Sequence, residues 1–264
     1  MTELLSKVFE KETKKLITFI TGGDPDFETC NQIINKLINN KIDIIEIGMP
    51  FSDPMADGPT IQLSSARSLK NGTNLDDIFK IVANAKNIKS DLPIILMGYY
   101  NVILHYGIKK FVEYCVINGV DGLIIVDLQP EEDDELIVEL KKNNIDLIRL
   151  ITPTTDEKRL KLILKNASGF LYYVSVMGTT GHKSANINDL KESVNFIKRH
   201  TNLPVIPGFG IKNAEDVNKI CKIADGAVVG SSIIKIIEDN LGNNNFILDK
   251  ISKFTKDLKE GTKI

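Results

Sequence analysis

Short apolar runs rich in β-branched residues alternate along this chain with longer stretches whose apolar positions recur at a period near 3.6. The runs fall at residues 16–21, 43–48, 93–99, 121–127, 146–152, 169–175, 204–210 and 225–230. They are apolar on both faces and too short for buried helices, so they predict strands of a parallel sheet covered on each side. The periodic stretches at residues 26–39, 108–118, 131–143, 190–199 and 214–223 predict amphipathic helices between them. Asn118-Gly119 and Asn143-Asn144 stand where helix gives way to strand, as residues that tolerate a left-handed backbone should. Eight strand–helix units suit a (β/α)8 TIM barrel, a fold of about 250 residues. We therefore expect one barrel domain spanning residues 1–264. An open doubly wound sheet fits less well, because no Gly-rich dinucleotide fingerprint follows the first strand.

The alternation is broken twice. After the second strand come roughly two dozen extra residues, beyond an ordinary connection. They include a helix-like piece at residues 60–69, before the helix at 76–88 restores the rhythm. After the sixth strand runs the small-residue connection Val176-Met177-Gly178-Thr179-Thr180-Gly181-His182-Lys183-Ser184. Both extensions follow strands, which puts them on the carboxyl face, where barrels of this kind build active sites. Residues 3–12 read as a short extra helix at the N-terminus, suited to plugging the opposite end of the barrel.

Composition narrows the function classes. A net charge of −2, with 42% hydrophobic and 26% charged residues, is ordinary for a globular protein and gives no pull toward nucleic acid or an anionic membrane. Cys30, Cys115 and Cys221 form no CxxC pair, and their odd number argues against a disulfide framework. No apolar stretch resembles a signal peptide or is long enough to span a bilayer. The expectation is a cytoplasmic protein, or one in an equivalent reducing compartment such as a plastid stroma. His105, His182 and His200 lack metal-ligand spacing, so no metal is expected.

The candidate chemistry begins at Ile45-Glu46-Ile47-Gly48-Met49-Pro50-Phe51-Ser52-Asp53-Pro54-Met55-Ala56-Asp57-Gly58. Glu46 lies inside an apolar strand run, where a carboxylate needs a partner or a function. Proline and glycine then force a loop carrying two more acids, a pattern suited to acid–base chemistry. Asp53 is equally compatible with an ordinary wet loop or a helix cap. Pro207-Gly208-Phe209-Gly210-Ile211 and Gly230-Ser231-Ser232 end the seventh and eighth strands, the usual phosphate cradle of such barrels. Gly210, Gly230 and Ser231 are the expected phosphate contacts, with Gly181 as a further backbone donor. Phe19, Met97, Tyr99, Ile124, Tyr172 and Phe209 fall on inward or terminal strand positions. Each singly reads as barrel core; together they suit a flat apolar pocket for an aromatic group. No lysine stands at a strand end as a Schiff-base aldolase requires; Lys212 comes nearest, among glycines that suit phosphate better.

The stretch from Ile45 to Gly58, continued by Pro59-Thr60-Ile61-Gln62, resembles the signature of the tryptophan synthase alpha chain family. The likeness extends through Phe19-Ile20-Thr21-Gly22-Gly23-Asp24-Pro25, Met97-Gly98-Tyr99-Tyr100-Asn101, Thr179-Thr180-Gly181, Gly208-Phe209-Gly210 and Gly230-Ser231. The resemblance implies retro-aldol cleavage of 1-(indol-3-yl)glycerol 3-phosphate to indole and glyceraldehyde 3-phosphate. It implies Glu46 as the general acid/base and Asp57 as the carboxylate that binds the indole N–H. Thr180 would close over the site and hydrogen-bond Asp57. Phe19, Tyr99, Ile124, Tyr172 and Phe209 would contact indole; Gly181, Gly210, Gly230 and Ser231 would hold phosphate. It further implies a pyridoxal-phosphate-dependent beta chain as partner, in an alpha2-beta2 heterotetramer, with Asp53 and Asn101 facing it and no cofactor in this chain. Two departures stand out: Gln129 replaces a proline common in the family, and the sixth loop lacks the commoner Arg and Val. Two rival functions are another phosphate-binding barrel enzyme, such as an isomerase or an indole-glycerol-phosphate synthase, and a barrel kept only to activate a partner. The synthase needs strand-end lysines, which are missing; the activator would not need Glu46 and Asp57, which are present.

Overall fold

All eight apolar runs form strands of one parallel sheet, in a computed structural model that describes residues 1–174, 187–208 and 210–264. In chain order the strands are β1 (Lys15–Thr21), β2 (Ile44–Gly48), β3 (Ile94–Gly98), β4 (Gly122–Ile125), β5 (Asp146–Leu147), β6 (Arg149–Ile151), β7 (Leu171–Val174), β8 (Val205–Gly208) and β9 (Gly226–Val229). Their order in the sheet is β5-β4-β3-β2-β1-β9-β8-β7-β6. β5 and β6 are two halves of the fifth barrel strand, separated by Ile148 alone. β5 pairs with β4 and β6 pairs with β7, so the chain itself closes the ring through Ile148.

Alternation along the strands divides the core in two. Ile17, Ile44, Ile95, Ile124, Ile148, Phe170, Ile206 and Val228 fill the barrel interior. Helix α1 (Glu3–Glu10) caps its amino end, with Leu5 fully buried among these residues and the Phe9 ring 5.9 Å from that of Phe170. This is the plug expected of the N-terminal segment. The alternate strand residues, such as Leu16, Ile45 and Leu96, face the surrounding helices.

Those helices start and stop where local chemistry directs. α2 (Phe27–Asn39) is capped by Asp26, which accepts from the Thr29 N–H. After α3 (Pro59–Lys70), α4 (Leu75–Ile88) opens with a reciprocal capping box between Asn74 and Asp77. α6 (Ile108–Asn118) stops at Gly119, whose φ of 83° suits glycine. α7 (Asp134–Lys142), α9 (Ile187–Lys198) and α10 (Ala214–Cys221) complete the helices anticipated by periodicity. Four more were not anticipated: α5 (Tyr100–Tyr106), α8 (Glu157–Leu164), α11 (Ser231–Glu238) and α12 (Asn244–Glu260). α5 follows β3 almost directly, so its pattern merges with the strand; α12 lies outside the eightfold rhythm and packs on α2, α10 and α11. The extension after the sixth strand falls within residues 175–186, outside the described residues.

Candidate active site

Strand alternation decides where the first carboxylate goes. On β2, Ile45 and Ile47 pack toward the helices while Ile44 packs inside the barrel, which turns Glu46 inward, in register with Phe19 and Ile95. Glu46 is fully buried, and among the described residues neither carboxylate oxygen has a hydrogen-bond partner. Burial pushes its pKa up to about 8, so near neutral pH the side chain is a neutral acid with a proton to give.

Glycines make room for aromatic rings above this level. A Cβ on Gly48 would lie 2.7 Å from Phe19 Cζ, and one on Gly230 would lie 3.1 Å from Phe19 Cβ. The Phe19 ring therefore sits between the ends of β2 and β9, in space that side chains at those positions would fill. Tyr172 depends in the same way on Gly208, where a Cβ would come within 2.4 Å of its Oη. Its phenol pKa is pushed well up, first by burial and then by Glu46 and Asp57, which places the ring within electrostatic reach of both carboxylates. Gly208→Ala is accordingly expected to displace Tyr172 and lower turnover about tenfold or more, a loss of about 1.4 kcal/mol. Steady-state kinetics checks this; wild-type turnover would show that the ring's position is unimportant.

Asp57 comes from the β2–α3 loop and is half-buried. Tyr99 Oη donates to its Oδ2 at 3.1 Å and accepts from the Ala56 N–H at 3.0 Å. The Asp57 N–H donates to the Pro54 carbonyl at 3.0 Å, and Gln62 Nε2 donates to the Asp57 carbonyl at 2.8 Å. Burial raises the Asp57 pKa and the Tyr99 hydrogen bond partly offsets that rise. Tyr99, read from sequence as a pocket wall, is thus the clamp on the loop that presents Asp57. The Phe51 ring braces it at 5.2 Å.

A cavity of about 550 Å³ opens beside Asp57, walled on the barrel side by Met97, Leu150, Tyr172 and Gly208. Ile124 lies in the barrel interior next to Met97, Leu150 and Tyr172, beneath this wall rather than on it. Leu150 was missed from sequence, although it stands two residues after the inward Ile148 and alternation would have found it. On the outer side the cavity reaches Arg149, Thr152 and Arg159. Arg149 is buried, donates from Nη1 to the Leu128 carbonyl at 2.9 Å and pairs with Asp133, which fixes the loop after β4. Gln129 in that loop is exposed and accepts from Arg159, a contact the family's proline cannot make.

The two loops read as a phosphate cradle do meet. Ser232 Oγ donates to the Ile211 carbonyl at 2.5 Å, tying the start of α11 to the segment after β8. Gly230 is the N-cap of α11, and among the described residues no side chain caps that first turn. Its amides are open to an anion, with the helix dipole in support. Gly210 is exposed, with a φ of 41°. Asp53 and Asn101 are also exposed, on the loop after β2 and at the start of α5. Thr180, Gly181 and Phe209 lie outside the described residues. Among the described residues, no group of three or more His, Cys, Asp or Glu side chains has the arrangement to hold a metal. A second cleft, of about 380 Å³, lies at the amino end among Lys14, Lys15 and Lys198, whose ammonium groups are engaged by Ala224, Lys11 and Asp225. Glu46 and Asp57 are at the other end.

Residues 5–263 match the family profile described as tryptophan synthase alpha chain. The chain is 46% identical over 255 residues to the tryptophan synthase alpha chain of Petrotoga mobilis, covering 97% of this chain and 98% of that one. It is 43% identical over 254 residues to that of Geotalea uraniireducens, covering 96% and 94%. Among solved structures, tryptophan synthase subunit alpha of Legionella pneumophila superposes with a TM-score of 0.92 at 33% identity, covering 99% of this chain and 98% of that chain. An aminoacrylate-bound tryptophan synthase of M. tuberculosis does so with a TM-score of 0.87 at 27% identity, covering 98% and 99%.

Proposed function

The chain belongs to the tryptophan synthase alpha chain family, the carbon–carbon lyases that cleave 1-(indol-3-yl)glycerol 3-phosphate to indole and glyceraldehyde 3-phosphate, and on that premise we propose that Glu46 and Asp57 carry this reaction here. The observation that carries the assignment is the buried Glu46 carboxyl, without a hydrogen-bond partner among the described residues and with its pKa raised to about 8. Cleavage needs a proton delivered to indole C3, so that the ring can leave with the bonding electrons, and a proton removed from the adjacent side-chain hydroxyl, which becomes the aldehyde. A neutral glutamic acid performs the first step and the resulting carboxylate performs the second, so the proton is returned. Protonation at C3 builds positive charge on the ring, and Asp57 accepts from the indole N–H and stabilises it. The wall formed by Met97, Leu150 and Tyr172 takes the flat ring, with Ile124 beneath it, while the Phe19 ring lies against Gly48 and Gly230 and does not line this cavity. Gly210, Gly230 and Ser231 hold the phosphate.

The working proton fixes the pH dependence. Glu46 must enter the cycle protonated, so kcat/KM is expected to fall as pH rises through about 8, approaching tenfold per unit above it. A rate that stays level to pH 10 would argue against Glu46 as the acid. The direct test is indole release from the indole-glycerol phosphate by the purified chain, alone and with a beta chain. Indole and glyceraldehyde 3-phosphate are expected in equal amounts; no indole even with the beta chain would reduce this barrel to an activator.

The family's partner is a beta chain, which holds the pyridoxal phosphate. We propose an alpha2-beta2 assembly with Asp53 and Asn101 toward the beta chain and no cofactor on this one. Their exposure on the active-site face supports that orientation. Among the described residues no helix is long and apolar enough to cross a membrane, and three buried free thiols suit a reducing cytoplasm.

A further inference from the structure

Helix α3 is attached to the barrel differently from the helices around it. Its buried residues are Ser64, Ser65 and Ser68, while Leu63 and Leu69 are exposed. Its apolar packing on the core is limited to the half-buried Ile61, and polar contacts with the end of β1 and the loop after it take over. Thr21 Oγ1 and Ser64 Oγ share a hydrogen bond of 2.5 Å, and Ser68 Oγ donates to the Gly22 carbonyl at 2.6 Å. Between them, Arg67 donates from Nε and Nη2 to the two carboxylate oxygens of Asp24 at 2.8 and 2.9 Å. Asp24 is 1% exposed, so this is a shielded, two-pronged contact whose direction is fixed by the planar guanidinium.

The other end of α3 carries the chemistry. Asp57 is joined to Pro59, the first residue of the helix, through Gly58 alone, and Gln62 reaches back to hold the Asp57 carbonyl. Tyr99 orients the Asp57 carboxylate and holds the Ala56 N–H on one side; on the other side the backbone of Asp57 is anchored by α3. We propose that Asp24 and Arg67 are positioning residues for Asp57: their ion pair sets the seat of α3, and through it the height of the carboxylate over the cavity. The proposal rests on the reading of Asp57 as the group that binds the indole N–H.

Arg67→Lys keeps the charge but gives up the paired geometry. In the enzyme assayed with its beta chain, it is expected to lower kcat about tenfold, with KM and inhibition by glyceraldehyde 3-phosphate within twofold of wild type. The decisive measurement is the same substitution in an Asp57→Asn background, where the residual rate should change less than twofold, because the group being positioned is gone. A tenfold loss that persists in that background, or wild-type kcat in Arg67→Lys, would overturn the proposal while leaving the role of Asp57 intact. Wild-type turnover in Asp57→Asn itself would instead remove the reading beneath it. Should Arg67→Lys fail to fold, Ser68→Ala decides: it frees one contact of the same seam and is expected to lower kcat about threefold, again only where Asp57 is present.

Discussion

Glu46→Gln is expected to reduce indole formation at least a thousandfold, about 4 kcal/mol of transition-state stabilisation, with substrate affinity nearly unchanged. The amide keeps the shape of the side chain and loses the exchangeable carboxyl proton. A variant retaining a tenth of the activity would show that Glu46 is not the acid/base. The same substitution is expected to stabilise the fold. Glu46 titrates near 8 when buried, against an ordinary 4.5, so the folded chain binds its proton more tightly than the unfolded chain. Stability must then fall as pH rises from 4.5 toward 8 and level off above, once the group is ionised in both states. At pH 7 the cost is about 3 kcal/mol. Denaturation of wild type and variant at pH 4.5, 7 and 9 checks this: the variant's advantage should be near zero at the lowest pH and largest at the highest. An advantage independent of pH would mean that Glu46 is not ionising in the buried site.

Gly230→Val is expected to weaken binding of both the substrate and glyceraldehyde 3-phosphate about a hundredfold, or about 2.7 kcal/mol. Two physical effects act together. A β-branched side chain covers the open amides at the start of α11, and its Cβ alone would sit 3.1 Å from Phe19 Cβ and 3.2 Å from Phe19 Cδ1. Phe19 must give by a few tenths of an ångström, so the packing beside the anion site changes too. Calorimetric titration with glyceraldehyde 3-phosphate separates the two, since that ligand has no ring. Unchanged affinity in a folded variant would move the phosphate site elsewhere.

The barrel and the buried carboxyl of Glu46 were legible in the sequence because each depends on local pattern. A charged residue inside a β-branched run can be seen without knowing the fold, and so can glycines closing two successive strands. What stayed hidden depends on partners distant in sequence. Tyr99 and Asp57 stand 42 residues apart, and without its partner in view the phenol reads simply as another aromatic at a strand end. Arg67 and Asp24 are likewise 43 residues apart, and nothing in either neighbourhood announces a pair. α12 went unread because the eightfold rhythm ends before it, and its apolar face is needed only once α2, α10 and α11 are in place.

The interruption at Ile148 gives the barrel an aperture. Pairing between the fourth and fifth strands ends at Leu123 and Leu147, with one further bond from the Ile148 N–H to the Leu123 carbonyl. Beyond that point β6 is bonded to β7, and the carboxyl end of β4 is bonded to β3. Ile125 and Val126 on one side and Leu150 and Thr152 on the other are the banks of this slit, and all four border the cavity. The cavity thus opens along the seam where, among the described residues, β4 and β6 share no ladder pairing. Loop insertions on the carboxyl face would lengthen the rim without widening the gate.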